Sequence, residues 1–226
     1  MKITIWSDFV CPFCYIGATH LNKALENFEH ADEVEIEYKS YQLEPGAVYE
    51  PEKTYLQAMT ERKNMDEAEM QRMLDQVDSM AKNAGLNYNF DEMKYSNTFK
   101  AHKVFQLAKE KGIGNQVAEA FMQGFFTDGE YLNDDETLVR LGVKEGLIEE
   151  DIRRVLEDDS YSLKVRQDQQ WARTINAKGV PHFVIDDKVS VSGAQPVTVF
   201  KQALSHVSLL NMTEEGAMCT DDGCEI

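Results

Sequence analysis

Cys11-Pro12-Phe13-Cys14 follows almost directly on a short apolar strand at the start of the chain, and no other feature restricts the fold as much. Lys2-Ile3-Thr4-Ile5-Trp6 alternates with the period of two expected of a strand, and Ser7-Asp8-Phe9-Val10 turns. From the cysteine pair onward Phe13, Gly17, Leu21, Ala24, Leu25 and Phe28 recur at helical spacing, which predicts a helix to about His30. Residues 34–41 alternate again. Strand, helix and strand joined at this length form a right-handed unit whose two strands run parallel. The cysteines therefore open a helix at the end of a strand. There a fold can make one thiol unusually acidic while holding its partner within bonding range.

Bulk properties narrow the functional classes. Lys and Arg number 23 against 40 Asp and Glu, a formal net charge of −17 over 226 residues. A nucleic-acid binder needs basic surface to displace counterions, so no nucleic-acid partner is expected. The single lysine and few apolar residues before Asp8 do not make a signal peptide, and no apolar run approaches the ~20 residues needed to cross a bilayer. The expectation is a cytoplasmic protein with no membrane partner. In that compartment paired cysteines are more often catalytic or metal-binding than structural.

Beyond Pro45 strand-like alternation stops. Residues 52–84, 90–112, 114–127, 134–146 and 149–178 read as helical, with Asp66 before Glu69 and Asp134 before Thr137 as first turns and Gly85 and Gly112 as stops. Strand character returns at Val180-Pro181-His182-Phe183-Val184-Ile185. Asp186-Asp187 turns tightly into Lys188-Val189-Ser190-Val191-Ser192, predicting a hairpin. A last helix is expected over 196–210, then a polar tail carrying Cys219 and Cys224. The fold class is α/β: a thioredoxin-like fold of order βαβ…ββα with a large all-helical insertion. The expected division is a core of residues 1–45 and 170–212, an insertion of 46–169 and a cysteine-bearing tail of 213–226.

Five ordered landmarks carry a family resemblance: Ser7-Asp8-Phe9-Val10-Cys11-Pro12-Phe13-Cys14, Asn97-Thr98-Phe99-Lys100-Ala101-His102, Gly179-Val180-Pro181-His182-Phe183, Ser192-Gly193-Ala194-Gln195, and the pair Cys219/Cys224. On these the chain resembles the DsbA-like branch of the thioredoxin superfamily, and most closely its FrnE-type members. The resemblance implies that Pro181 is cis and faces the cysteine pair, with the main chain of Val180 free to bind substrate as an added strand. It also makes Cys219 and Cys224 a candidate redox relay; a flexible acidic end with two incidental thiols is the competing reading.

The chemistry follows from position. Cys11 stands where a helix N-cap belongs, and Pro12 takes the first helical position, where its missing N–H costs nothing. Unpaired N–H groups of the first turn and the positive end of the helix dipole favour a Cys11 thiolate. Cys14 lies one turn on, on the same face, and is expected to point inward and stay protonated until it resolves a mixed disulfide. A zinc half-site would need two further ligands, and none lies near in sequence; no metal is expected. His102 is expected to hold the insertion against the core. His182 reads as a packed or solvated histidine, and Trp6 and Phe9 as an apolar rim or, for Trp6, strand packing. His20, His30 and His206 form no cluster.

The leading function is a cytosolic thiol–disulfide oxidoreductase or isomerase working through Cys11 and Cys14 on disulfide- or thiol-bearing proteins or small molecules. It needs no cofactor beyond its own redox-active disulfide, with glutathione or another thiol as reductant. The alternatives are a glutathione-dependent isomerase or transferase of the 2-hydroxychromene-2-carboxylate isomerase or kappa type, and a redox-sensing zinc-binding module. The relatives of the first alternative place a serine where Cys11 stands and lack Cys14. Monomer and homodimer both fit the sequence.

Overall fold

The computed structural model describes residues 1–218. Four strands form one sheet: β1 (Lys2–Ser7), β2 (Glu35–Ser40), β3 (His182–Ile185) and β4 (Val189–Ser192), in the order β2-β1-β3-β4. β1 and β2 run parallel from Lys2 opposite Glu35 to Ser7 opposite Ser40, whereas β3 is antiparallel to both β1 and β4. The Asp186-Asp187 turn has both residues at positive φ, 47° and 54°, which short Asp side chains tolerate better than most.

Alternation along β1 sorts its two faces. Ile3 and Ile5 join Phe183 and Ile185 against α1 (Pro12–Leu25) and α9 (Val197–Met218), whose Leu21, Ala24, Phe200 and Leu204 complete one buried cluster. Each such large side chain withdrawn from water stabilises the fold by about 1.5–3 kcal/mol. Trp6 faces the other way and packs on Ala172 of α8 (Asp159–Thr174). Its indole N–H donates to the Asp168 carbonyl at 3.0 Å.

Between β2 and β3 lie α2 (Tyr55–Lys63), α3 (Glu67–Ala84), α4 (Phe99–Glu110), α5 (Gly114–Phe126), α6 (Asp135–Lys144), α7 (Glu149–Glu157) and α8. The expected starts hold: the Asp66 carboxylate accepts from Glu69 N at 2.8 Å and that of Asp134 from Thr137 N at 2.8 Å. Gly85 stops α3 at φ 86°, a left-handed conformation open to glycine. α4 is the hub, buried on every side from Ala101 to Ala108. Its Gln106 amide donates to Ser40 Oγ at 2.9 Å and to the Asp168 carboxylate at 2.7 Å, which docks α4 on both β2 and α8.

Several boundaries differ from the periodicity. α1 ends at Leu25 rather than near His30; residues 26–30 turn, and a single 3₁₀ turn at Ala31–Glu33 leads into β2. The stretch 52–84 breaks at Asn64, which takes a left-handed φ of 51°. The stretch 149–178 breaks at Asp158, whose extended backbone ends α7 while its carboxylate caps α8 through Ser160 N. Residues 90–98 are not helical: Asn89 N bonds to Phe126 O and the Lys94 ammonium to Gly129 O, so the segment is spent on tertiary contacts. α8 runs across residues 169–170, the expected edge of the insertion. α9 continues past Leu210 to Met218, so the first residues expected in the tail are helical. Cys219 and Cys224 lie outside the described residues. Among the described residues no helix is long and apolar enough to cross a membrane.

Candidate active site

Cys11 is the N-cap of α1, with extended backbone angles (φ −88°, ψ 111°), and Pro12 occupies the first helical position. Cys11 N donates to Asp8 O at 3.2 Å and Cys14 N to Cys11 O at 2.9 Å, so a turn and the first helical turn together fix both cysteines. Both are free thiols, 4% and 1% exposed. The Cys11 thiol donates to Val180 O at 3.6 Å. Val180-Pro181 is a cis peptide, and Gly193 N donates to Pro181 O at 2.8 Å. Gly17 makes the meeting of α1 with this proline feasible: a Cβ there would lie 3.1 Å from Pro181 Cγ and 3.1 Å from Phe183 Cζ.

The two thiols sit in different environments. Burial pushes Cys14 well above the usual thiol range, and the neighbouring Cys11 sulfur adds to this; Ser7 and the Asp8 backbone N–H act in the opposite direction. Cys14 is therefore a thiol at neutral pH.

Behind the loop, Asp8 and His102 form a fully buried pair with His102 Nε2 3.3 Å from Asp8 Oδ1. Leu43 N donates to the other carboxylate oxygen at 2.7 Å, and the Phe9 ring lies over the imidazole at 4.4 Å between centroids. Asn97 ties the same region together. Its side-chain oxygen accepts from Gln42 Nε2 at 2.7 Å and Phe99 N at 3.0 Å, while its amide donates to Pro45 O at 2.6 Å. His102 does join insertion to core, through a charged residue of the cysteine loop itself. Trp6 and Phe9 form no rim: Trp6 packs under the sheet, and Phe9 is buried against His102, Phe105 and Phe121.

The rim is built instead by the insertion. A cavity of about 280 Å³ opens beside Cys11, Pro12 and Phe13 and is closed by Leu43, Tyr55, Met59, Met70, Met73, Leu74, Phe90, Phe125 and Val180. Glu44 and Lys63 supply its charges, and Glu44 is held by Arg62 at 2.6 Å. Three methionines on two helices give a surface that can re-pack around differently shaped apolar groups.

The family follows from the whole chain. A model of the DSBA-like thioredoxin domain matches residues 2–205. The chain belongs to that family. It is 36% identical to a probable DsbA oxidoreductase of Streptomyces coelicolor, whose crystal structure superposes with a TM-score of 0.85 over 100% of this chain and 93% of that one. An uncharacterized protein of Bacillus subtilis, YwbO, is 27% identical over 213 residues, 91% of this chain and 96% of its own. The structure of a 2-hydroxychromene-2-carboxylate isomerase superposes with a TM-score of 0.68 at 13% identity, covering 94% of this chain and 98% of that one, which shows a shared fold.

Within this DSBA-like domain some site residues escaped the sequence reading. Tyr88 donates from its hydroxyl to Pro12 O at 2.8 Å and stacks on Phe126 at 4.4 Å, bracing the loop from the insertion side. His20 Nδ1 pairs with Gln195 O at 2.8 Å, linking α1 to the segment after β4. Neither has a local signal, since each is defined by a partner far along the chain. His182 is the packed histidine expected: Nδ1 meets Ser192 Oγ at 3.0 Å, the ring lies 6.2 Å from Trp6, and burial lowers its pKa.

Proposed function

We propose that this chain is a thiol–disulfide oxidoreductase or isomerase in which Cys11 leads and Cys14 resolves. One observation carries the reading: of two thiols in the first turn of a helix, the leading one, Cys11, meets the carbonyl of Val180 beside a cis proline, at the mouth of an apolar cavity. Cys11 thiolate attacks one sulfur of a substrate disulfide; the Cys11–substrate bond forms, the substrate bond breaks, and the released thiolate takes up a proton. Cys14 then attacks the Cys11 sulfur, the pair closes to a disulfide, and the second substrate sulfur leaves as a thiol. Two electrons pass from the dithiol to the substrate. Glutathione or another small thiol restores the pair by the reverse exchange. The helix N-terminus stabilises the attacking and leaving Cys11 thiolate.

The cavity supports a substrate class: disulfides flanked by bulky apolar groups, as in unfolded or partly folded polypeptides. A side chain next to the reacting sulfur would enter among Tyr55, Met70 and Phe125 while substrate main chain pairs with Val180. A cytosolic setting and the redox relay by Cys219 and Cys224 belong to the same proposal.

Insulin reduction with a glutathione-regenerating system tests the core of it. Cys11→Ser should abolish turnover, and Cys14→Ser should accumulate a mixed disulfide with substrate detectable by intact mass. Full turnover by Cys11→Ser would end the reading.

A further inference from the structure

Ser7 closes β1 immediately before the cysteine loop. Its backbone cannot drift: it stands opposite Ser40 in the parallel register, and its carbonyl accepts from Tyr41 N at 3.0 Å. The side chain is 2% exposed, and its hydroxyl oxygen has no hydrogen-bond partner. A buried hydroxyl without a partner destabilises a fold, so its retention needs a reason. Alanine would fill the same space without that penalty.

The reason lies in its neighbour. Ser7 continues the Ile3–Ile5 face of β1 toward α1, whose first turn carries Cys14, and its hydroxyl and the Asp8 backbone N–H act on that sulfur, itself 1% exposed, in the direction that favours charge. A thiol sulfur is a weak acceptor, so while Cys14 is protonated the hydroxyl is left unsatisfied. A thiolate sulfur is a strong one, and a buried hydroxyl with no other partner is free to turn to it when charge appears. An interaction absent from the resting state and present only as charge develops lowers a barrier without tightening the ground state.

We propose that the Ser7 hydroxyl and the Asp8 backbone N–H form an anion pocket for the Cys14 sulfur, making Ser7 a catalytic residue of the resolving step. This rests on the reading of Cys11 and Cys14 as the exchange pair. In that step Cys14–SH and the Cys11–S–S–substrate bond become the Cys11–Cys14 disulfide and substrate–SH. The Cys14 proton ends on the departing sulfur, and Ser7 only donates a hydrogen bond to the sulfur that transiently carries charge. Cys11 attack on substrate precedes this step and does not use Ser7.

An aryl disulfide that releases a coloured thiolate, 5,5′-dithiobis(2-nitrobenzoate), separates the two steps. The full chain carrying Cys219→Ser and Cys224→Ser leaves only the pair to report: the first release marks attack by Cys11 and the second marks resolution by Cys14. Ser7→Ala should leave the first phase within about two-fold of the parent and slow the second about 10-fold to 100-fold at pH 7. The pH midpoint of the second phase should move up by about one unit. Ser7→Thr, which keeps the hydroxyl, should resolve at close to the parent rate. A Ser7→Ala second phase as fast as the parent, with an unmoved midpoint, would overturn the assignment. Should that variant not fold, Ser7→Gly is read by the same criteria. Failure of the exchange reading looks different: no fast first phase in the parent, or one that survives Cys11→Ser.

Discussion

Gly17→Ala sets two terms of known sign against each other. Replacing glycine by alanine inside a helix normally stabilises it by about 1 kcal/mol. At Gly17 the added methyl would stand 3.1 Å from Phe183 Cζ, 3.1 Å from Pro181 Cγ and 3.4 Å from Ala194 Cα. Carbon atoms prefer about 3.5–4.0 Å, so two contacts are short by several tenths of an ångström. None of the three neighbours yields easily. Phe183 is buried, paired with Ile5 in register and set edge-on against Phe200 at 4.8 Å. Pro181 is held through its carbonyl by Gly193 N, and Ala194 Cα is main chain. Overpacking of this kind costs about 1–3 kcal/mol, and with rigid neighbours the upper half of that range applies. The net is a loss of about 1–2 kcal/mol, or a fall of about 2–8 °C in Tm for a chain of this size. Because α1 must back away from Pro181, the Cys11–Val180 spacing opens, and kcat/KM for disulfide reduction should drop about ten-fold or more. Urea melts and insulin turnover measure both, with Asn22→Ala on the exposed side of α1 as a propensity control that stays neutral or gains slightly. A Gly17→Ala protein as stable and as active as the parent would show that the helix and proline do not meet as described.

Asp8→Ala strands the Leu43 N–H and a buried His102 and should cost about 3–5 kcal/mol in urea melts, whereas Asp8→Asn keeps an oxygen for Leu43 N and should cost about 1–2; equal losses would argue against the Leu43 N–H contact as a support of the loop. Tyr88→Phe leaves the stacking on Phe126 but unpairs Pro12 O, lowering stability by about 1 kcal/mol and slowing exchange several-fold without altering the cavity's preference for apolar substrates. For Glu37, burial alone would raise the pKa, but hydrogen bonds from Lys39 and Lys2 outweigh it and hold the carboxyl at about 2 against the usual 4.5. A depressed carboxylate stabilises fully above the unfolded value and loses its contribution as pH falls through the folded one, so the effect fades between about pH 4.5 and 2. Allowing for solvent screening, Glu37→Gln should cost about 1–2 kcal/mol at pH 7 and flatten the acid limb of a stability–pH curve; an unchanged limb would refute it.

Legibility in the sequence tracked how local each structural cause is. Asp66, Asp134, Gly85 and the Asp186-Asp187 turn act within a few residues of themselves, and each is where the pattern put it. The cysteine pair at the first turn of α1 is equally local, since Pro12 and the preceding strand determine it. What the pattern could not reveal depends on distant partners. Lys103 and Gln106 of α4 look like a solvated face, yet both are buried, because the Leu156 carbonyl and Asp168 come to meet them; His102 is expected against the core, but its partner Asp8 is not. Residues 90–98 have no turn signature that forbids a helix; Asn89 and Lys94 instead bond to the end of α5 and the loop beyond it.

The same distinction explains why Ser7-Asp8-Phe9-Val10 read only as a turn. Connecting segments usually run over the surface, because buried backbone there would lack partners. Here Ser7, Asp8 and Phe9 are all buried, and the segment is enclosed by α4 behind and α1 ahead. Enclosure places a hydroxyl, a carboxylate and an aromatic ring in low-dielectric surroundings, where each acts more strongly on a nearby sulfur or imidazole than it would in water. Polar residues at such a turn are retained for the partners that enclosure gives them. Asp8 has His102 at hand, and Ser7 has the Cys14 sulfur; the first pairing is present in the resting molecule, and the second waits for the thiolate.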